Sequence, residues 1–180
     1  MKNKLWLLAA LVLGAYFSTQ VAHADLSVSA SEFVASASNA NMLAILSSNL
    51  ALAKSRNHDV VKFAERMADR HARAAKWLEK AAKQSQTTAA LAVKLDDKHQ
   101  QIMTELILAD PGRDFDQRYI GAQEDGHTEA ITLLHNYAHN GQDKALKTFA
   151  QRALPSLKRH HARIEDILAK SGVHITQRED

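Results

Sequence analysis

The chain of 180 residues has no cysteine, which excludes a disulfide scaffold, a thiol nucleophile and any thiolate metal site. It carries 23 basic and 20 acidic residues, but its first 24 residues take two of the basic ones and none of the acidic ones, so the remaining 156 have a net charge of only +1. That balance excludes the electrostatic footprint of a nucleic-acid-binding protein. Two prolines, six glycines and no stretch of alternating apolar and polar residues leave an all-α reading.

Residues 1–24, MKNKLWLLAALVLGAYFSTQVAHA, set Lys2 and Lys4 before an apolar run from Leu5 to Phe17 and end on Ala22-His23-Ala24. This is the pattern of a secretory signal peptide cleaved before Asp25. The apolar run is shorter than the roughly 20 residues of a membrane-spanning helix, so no transmembrane segment is expected after cleavage. The expected location is the periplasm of a Gram-negative bacterium, free or in peripheral association with the outer membrane. Residues 25–31 read as a polar lead-in, 32–171 as one helical-bundle domain, and 172–180 as a flexible tail.

The first helical region spans about Ser31 to Arg56, with a break expected near Asn39–Asn41 and Met42, Ile45, Leu46, Asn49 and Ala53 on its inward stripe. Asn57 or Asp59 caps a second helix running to about Gln84, which buries Val60, Ala64, Met67, His71, Ala74 and Leu78. Residues 85–94 lack periodicity and form the longest connection. A short helix from about Asp96 to Leu108 presents Leu95, His99, Ile102 and Leu106. After the Pro111-Gly112 turn, a helix over about 114–139 turns Phe115, Tyr119, Ala122, Gly126, Ala130, Leu133 and Tyr137 inward. The last helix, about 142–170, buries Leu146, Phe149, Ala153, Leu157, His160, Ile164 and Ile167, and Pro155 should bend it near Gln151. The pattern predicts an antiparallel four-helix bundle with an additional short helix in the middle crossover.

At 100° per residue, His71, His99, His127 and His160 fall on or beside the apolar stripes of four different helices, whereas His58, His161 and His174 do not. A buried imidazole needs a hydrogen-bond partner or a ligand, because an orphaned polar group costs about 1–3 kcal/mol. These four are therefore candidate metal ligands, and the bland alternative for each is a histidine bonded at the edge of the core. Glu124 joins the candidates because Glu124-x-x-His127 has the spacing of carboxylate-bridged di-metal bundles. The second such motif is missing, and the first helix has no acidic residue from Ser36 to Lys54. Zinc, copper or nickel is thus favoured over di-iron, and ferroxidase or oxygenase chemistry is disfavoured.

His135 and His139 share a face turned away from His127 and read as a solvated shoulder or a peripheral ion site. Arg66, Arg70, Arg73, Lys76, Lys80 and Lys83 are interleaved with Glu65, Asp69 and Glu79, and read as a solvated charged face. No nucleophile elbow or phosphate-cradling glycine loop occurs, so no catalytic residue is assigned and the reading leans away from an enzyme.

The segments FAERMADRHARAAKWLEKAA, FDQRYIGAQEDGHTEAI and LKTFAQRALPSLKRHHARIEDIL carry Phe63, Ala64, Met67 and His71, then Phe115, Asp116, Tyr119 and His127, then Leu154, Pro155, Leu157 and His160. From about Phe33 to Leu168 the chain resembles the ferritin-like domain of unknown function 4142 family of exported bacterial bundle proteins, with His99 as a further matching position. The resemblance implies a ferritin-like four-helix fold and an exported location, and it brings no established activity. Where the family often has an acidic residue before each motif histidine, this chain has Arg70, Gly126 and Arg159.

Two functions are expected from these features. The first is a binding or stress-related envelope protein, without catalysis, whose inward histidines take a transition metal or small ligand. The second is a protein that interacts with an envelope partner and uses the histidines structurally or as an acid switch.

Overall fold

The computed structural model describes residues 28–85, 88 and 90–171, so the expected signal peptide, the start of the expected lead-in and the expected tail from Gly172 lie outside the described residues. Five helices follow one another: α1 (Ala30–Lys54), α2 (His58–Gln84), α3 (Asp97–Leu108), α4 (Arg113–Asn140) and α5 (Lys144–Ser171). Their starts are written in the sequence. Glu32 N–H donates to Ser29 Oγ at 3.2 Å while Ser29 N–H donates back to Glu32 Oε2 at 2.9 Å, a capping box that starts α1 inside the expected lead-in. Asn57 Oδ1, Asp96 Oδ1 and Asp143 Oδ1 each accept a backbone N–H at 2.9 Å and start α2, α3 and α5. Gly112 has φ +94°, a conformation that favours glycine, at the entry to α4.

The direction of each helix follows from two apolar clusters. One joins Phe33 at the start of α1 to Leu78 late in α2, Tyr137 late in α4 and Leu146 early in α5. The other joins Ala51 late in α1 to Phe63 early in α2, Phe115 early in α4 and Ile164 late in α5. α1 and α5 therefore run one way and α2 and α4 the other. The connection from α2 to α4 must travel the length of the bundle, which is why it contains α3. Phe33 stacks on Tyr137 with ring centroids 3.9 Å apart and anchors the first cluster. α5 continues through Pro155, which is exposed.

α1 corrects two expectations: it is unbroken at Asn39–Asn41, and its inward face is not the stripe expected for it. Leu46 is 40% exposed, Asn49 and Ala53 are exposed, and Met42 and Ile45 are half-buried. The buried face instead runs through Phe33, Ala37, Asn41, Ala44, Ser47, Ser48 and Ala51. Apolar residues surround this helix, so hydrophobic periodicity selects no side. Polar partners inside the bundle select it: Ser48 Oγ meets Tyr119 Oη at 2.9 Å, Gln123 Nε2 donates to Ser47 Oγ at 2.9 Å, and Asn41 meets His71.

Lys54, at the end of α1, donates to the carbonyls of Ile107 at 2.5 Å, in the last turn of α3, and of Ala109 at 2.7 Å, just past it. Replacing Lys54→Met should cost about 1.5–3 kcal/mol, the range for hydrogen bonds to charged groups. Amide exchange at Leu108–Asp110 should accelerate well before that of α4.

Candidate functional site

Between the two apolar clusters lies a polar layer to which four helices contribute one residue each: Asn41 from α1, His71 from α2, His127 from α4 and His160 from α5. The three imidazoles face one another. Ring centroids are 5.4 Å apart for His71 and His127, 5.7 Å for His71 and His160, and 5.6 Å for His127 and His160. One nitrogen from each ring lies within 4.8 Å of those of the other two.

Hydrogen bonds settle which nitrogens are available. Nδ1–H of His71 donates to Asn41 Oδ1 at 2.8 Å, and Nδ1–H of His127 donates to the Gln123 carbonyl at 2.7 Å. Both partners can only accept, so Nε2 of each ring carries a lone pair. His160 Nε2 shares a hydrogen bond with Ser156 Oγ at 3.3 Å. His71 Nε2, His127 Nε2 and His160 Nδ1 are buried and have no hydrogen-bond partner. Three orphaned ring nitrogens in one place, two of them acceptors by the bonds their rings make, are costly unless something binds them.

The electrostatics keep the trio neutral. Burial, reinforced by the charges that His127 and His160 would carry, pushes His71 well below the ordinary value of 6.5. Burial takes His127 down to about 4, opposed by its bond to the Gln123 carbonyl and aided by His161. Burial takes His160 to about 4 as well, followed by the positive fields of His127, Arg70 and Arg159. At neutral pH each ring is therefore uncharged, the state in which imidazole ligates a metal.

The trio fits a small ion. A triangle with edges of at most 4.8 Å has its centre about 2.8 Å from each corner, against Zn–N bonds of about 2.0–2.1 Å. An inward shift of about 0.7 Å per ring closes the difference, within the reach of side-chain rotation. A cleft of about 360 Å³ between α1, α3 and α4 leads to His71 and His127 and is lined by Gln123 and Gly126. At its rim Lys98 of α3 pairs with Glu129 of α4 at 2.6 Å.

Three of the five residues singled out in the sequence thus come together. His99 lines the same cleft but is not one of the converging group, and its Nδ1 is engaged by Asp96 Oδ1 at 2.6 Å at the head of α3. Glu124 is half-buried on α4 and also lies outside the group. His135 and His139 sit side by side on the surface, centroids 4.4 Å apart, with His139 Nδ1–H donating to the His135 carbonyl at 2.8 Å. Sequence reasoning missed Asn41 and Gln123, the groups that fix two of the tautomers. The signal for Asn41 was present, since an asparagine in a helix of Ala, Ser and Leu requires a partner, but it was read as a helix break.

Comparison with known proteins places the chain. Residues 16–167 match the family Domain of unknown function (DUF4142), and the chain belongs to that family. Among solved structures it is similar to a DUF305 protein from Streptomyces coelicolor, with a TM-score of 0.65 at 15% identity, over 81% of this chain and 95% of that one. At that identity the likeness concerns the fold. No curated protein matches the chain.

Proposed function

We propose that this DUF4142 chain is an exported periplasmic protein that holds one transition metal ion on His71, His127 and His160, in the middle of a ferritin-like bundle, without catalysing a reaction. The observation that carries the reading is the convergence of three imidazoles from three helices, each of which has one buried nitrogen without a hydrogen-bond partner. Asn41 and the Gln123 carbonyl act as the outer partners that orient two of the ligands. An all-nitrogen donor set suits zinc, copper or nickel, and zinc also accepts three protein ligands with a position left open. The single long crossover is the connectivity of ferritin-like bundles and supports that assignment. No described helix is long and apolar enough to cross a membrane, and the N-terminal signal pattern supports export.

Cobalt titration of the chelator-stripped protein tests the reading. One equivalent should give the visible bands of low-coordinate cobalt, zinc should bleach them, and His71→Ala should abolish them. Bands that survive His71→Ala, or binding only at surface stoichiometries, would overturn it. Asn41→Ala should weaken zinc binding about 10–100-fold, the usual cost of losing an outer-shell partner, and the exposed Asn49→Ala should leave it unchanged.

A second reading is favoured by the depressed basicity of the same rings: an envelope interaction protein whose histidines respond to acid. It differs from the first in requiring the acid response without any metal affinity.

A further inference from the structure

His160 also opens onto a second cleft, between α2 and α5, of about 320 Å³. Four of the residues lining it are arginines, in two i,i+4 pairs on facing helices: Arg66 and Arg70 of α2, Arg159 and Arg163 of α5. No aspartate or glutamate lines it. Arg163 is neutralised by Asp59 at 3.1 Å and by Asp166. Arg66 Nε donates only to the Lys62 carbonyl, at 3.1 Å. Arg70 and Arg159 have no hydrogen-bond or ion-pair partner among the described residues.

Arg66, Arg70, Arg73, Lys76, Lys80 and Lys83 of α2 are all exposed, as expected of a solvated charged face. Arg73 and Lys83 do pair along the helix, with Asp69 and with Glu79 at 2.6 Å. Arg66 and Arg70 instead turn toward α5. Arg66, Arg70 and Arg159 are exposed, and guanidinium groups gathered on one cleft without acidic partners repel one another unless an anion is shared between them; their planar forks match tetrahedral oxyanions.

We propose that the α2–α5 cleft is a binding site for a phosphate-type oxyanion, held chiefly by the guanidinium groups of Arg70 and Arg159 with Arg66 and the Ser156 hydroxyl as further donors. A bound dianion would supply Arg70 and Arg159 with the negative charge that the cleft lining lacks. The shared chemistry is that of a free phosphate, a phosphomonoester or the phosphate of a lipid headgroup, and the site is independent of whether the histidines hold a metal.

The test uses the purified protein kept metal-free with a chelator. Calorimetric titration with inorganic phosphate and with pyrophosphate is run against sodium chloride at matched ionic strength, and flotation with phosphatidylglycerol and with phosphatidylcholine vesicles is run in parallel. Phosphate or pyrophosphate should bind with an affinity that Arg70→Gln with Arg159→Gln lowers at least about tenfold and that Arg118→Gln, on α4, leaves unchanged. The histidine NMR signal of His160 should shift on binding while those of His135 and His139 stay fixed. Binding to phosphatidylglycerol vesicles alone, lost in the double variant, assigns the site to a lipid headgroup. Anion binding no stronger than chloride in every arm, or binding that the double variant leaves intact, overturns the proposal.

Discussion

Zinc at a hundredfold excess over its dissociation constant is expected to stabilise the metal-free protein by about 2.7 kcal/mol, raising its melting temperature by about 5–10 °C for a chain of this size. The effect requires that the ion bind the folded chain and not the unfolded one, and the bundle supplies the reason. His71, His127 and His160 belong to three different helices and meet only when those helices pack. His127→Ala should abolish the shift. His127 is the ligand of choice for this test because its other nitrogen is bound to its own helix, so the substitution breaks no hydrogen bond between helices. Calorimetric scans of both proteins with and without zinc measure it directly. An equal shift in His127→Ala would place the ion elsewhere.

The second large effect is a loss of stability in acid by the metal-free protein. In the folded chain His127 takes up a proton only near pH 4, whereas in the unfolded chain it does so near 6.5. Between these values the unfolded chain binds more protons, so stability is complete above pH 6.5 and falls as the pH is lowered toward 4. The displacement of His127 corresponds to about 3 kcal/mol across that window. Burial moves His71 and His160 in the same direction, which adds to the loss. Urea midpoints at pH 7, 5 and 4 should decline steeply, and His127→Gln should flatten the decline. A midpoint independent of pH would contradict the neutral, buried state of the cluster.

Much of the bundle could be read from the chain, because α2, α4 and α5 carry strong apolar stripes. Val60, Met67, Phe115, Tyr119, Leu146 and Ile164 are all buried where the periodicity places them. The helix starts were legible for a chemical reason, since Asn57 and Asp96 supply the oxygens that orphaned N–H groups need. α1 was not legible. Its inward face is chosen by hydrogen bonds from Asn41, Ser47 and Ser48 to residues far along the chain, and no local pattern encodes such pairing.

The candidate site divides along the same line. Helical phase separated His71, His127 and His160 from His135 and His139, but phase alone cannot say which inward residues lie at the same height. His99 shares the inward phase of α3, yet α3 lies in the crossover and places it on the cleft wall. The arginine cleft was hidden for a similar reason. Arg70 and Arg159 are separated by about half of the chain, and only the antiparallel packing of α2 against α5 sets them on one cleft.

The most direct test of the account is X-ray absorption at the zinc edge of the loaded protein. Three imidazole nitrogens at about 2.0 Å, with the outer-shell scattering of histidine rings, are the result predicted for His71, His127 and His160. A shell made mainly of carboxylate oxygens, or one with fewer than three imidazoles, would contradict it.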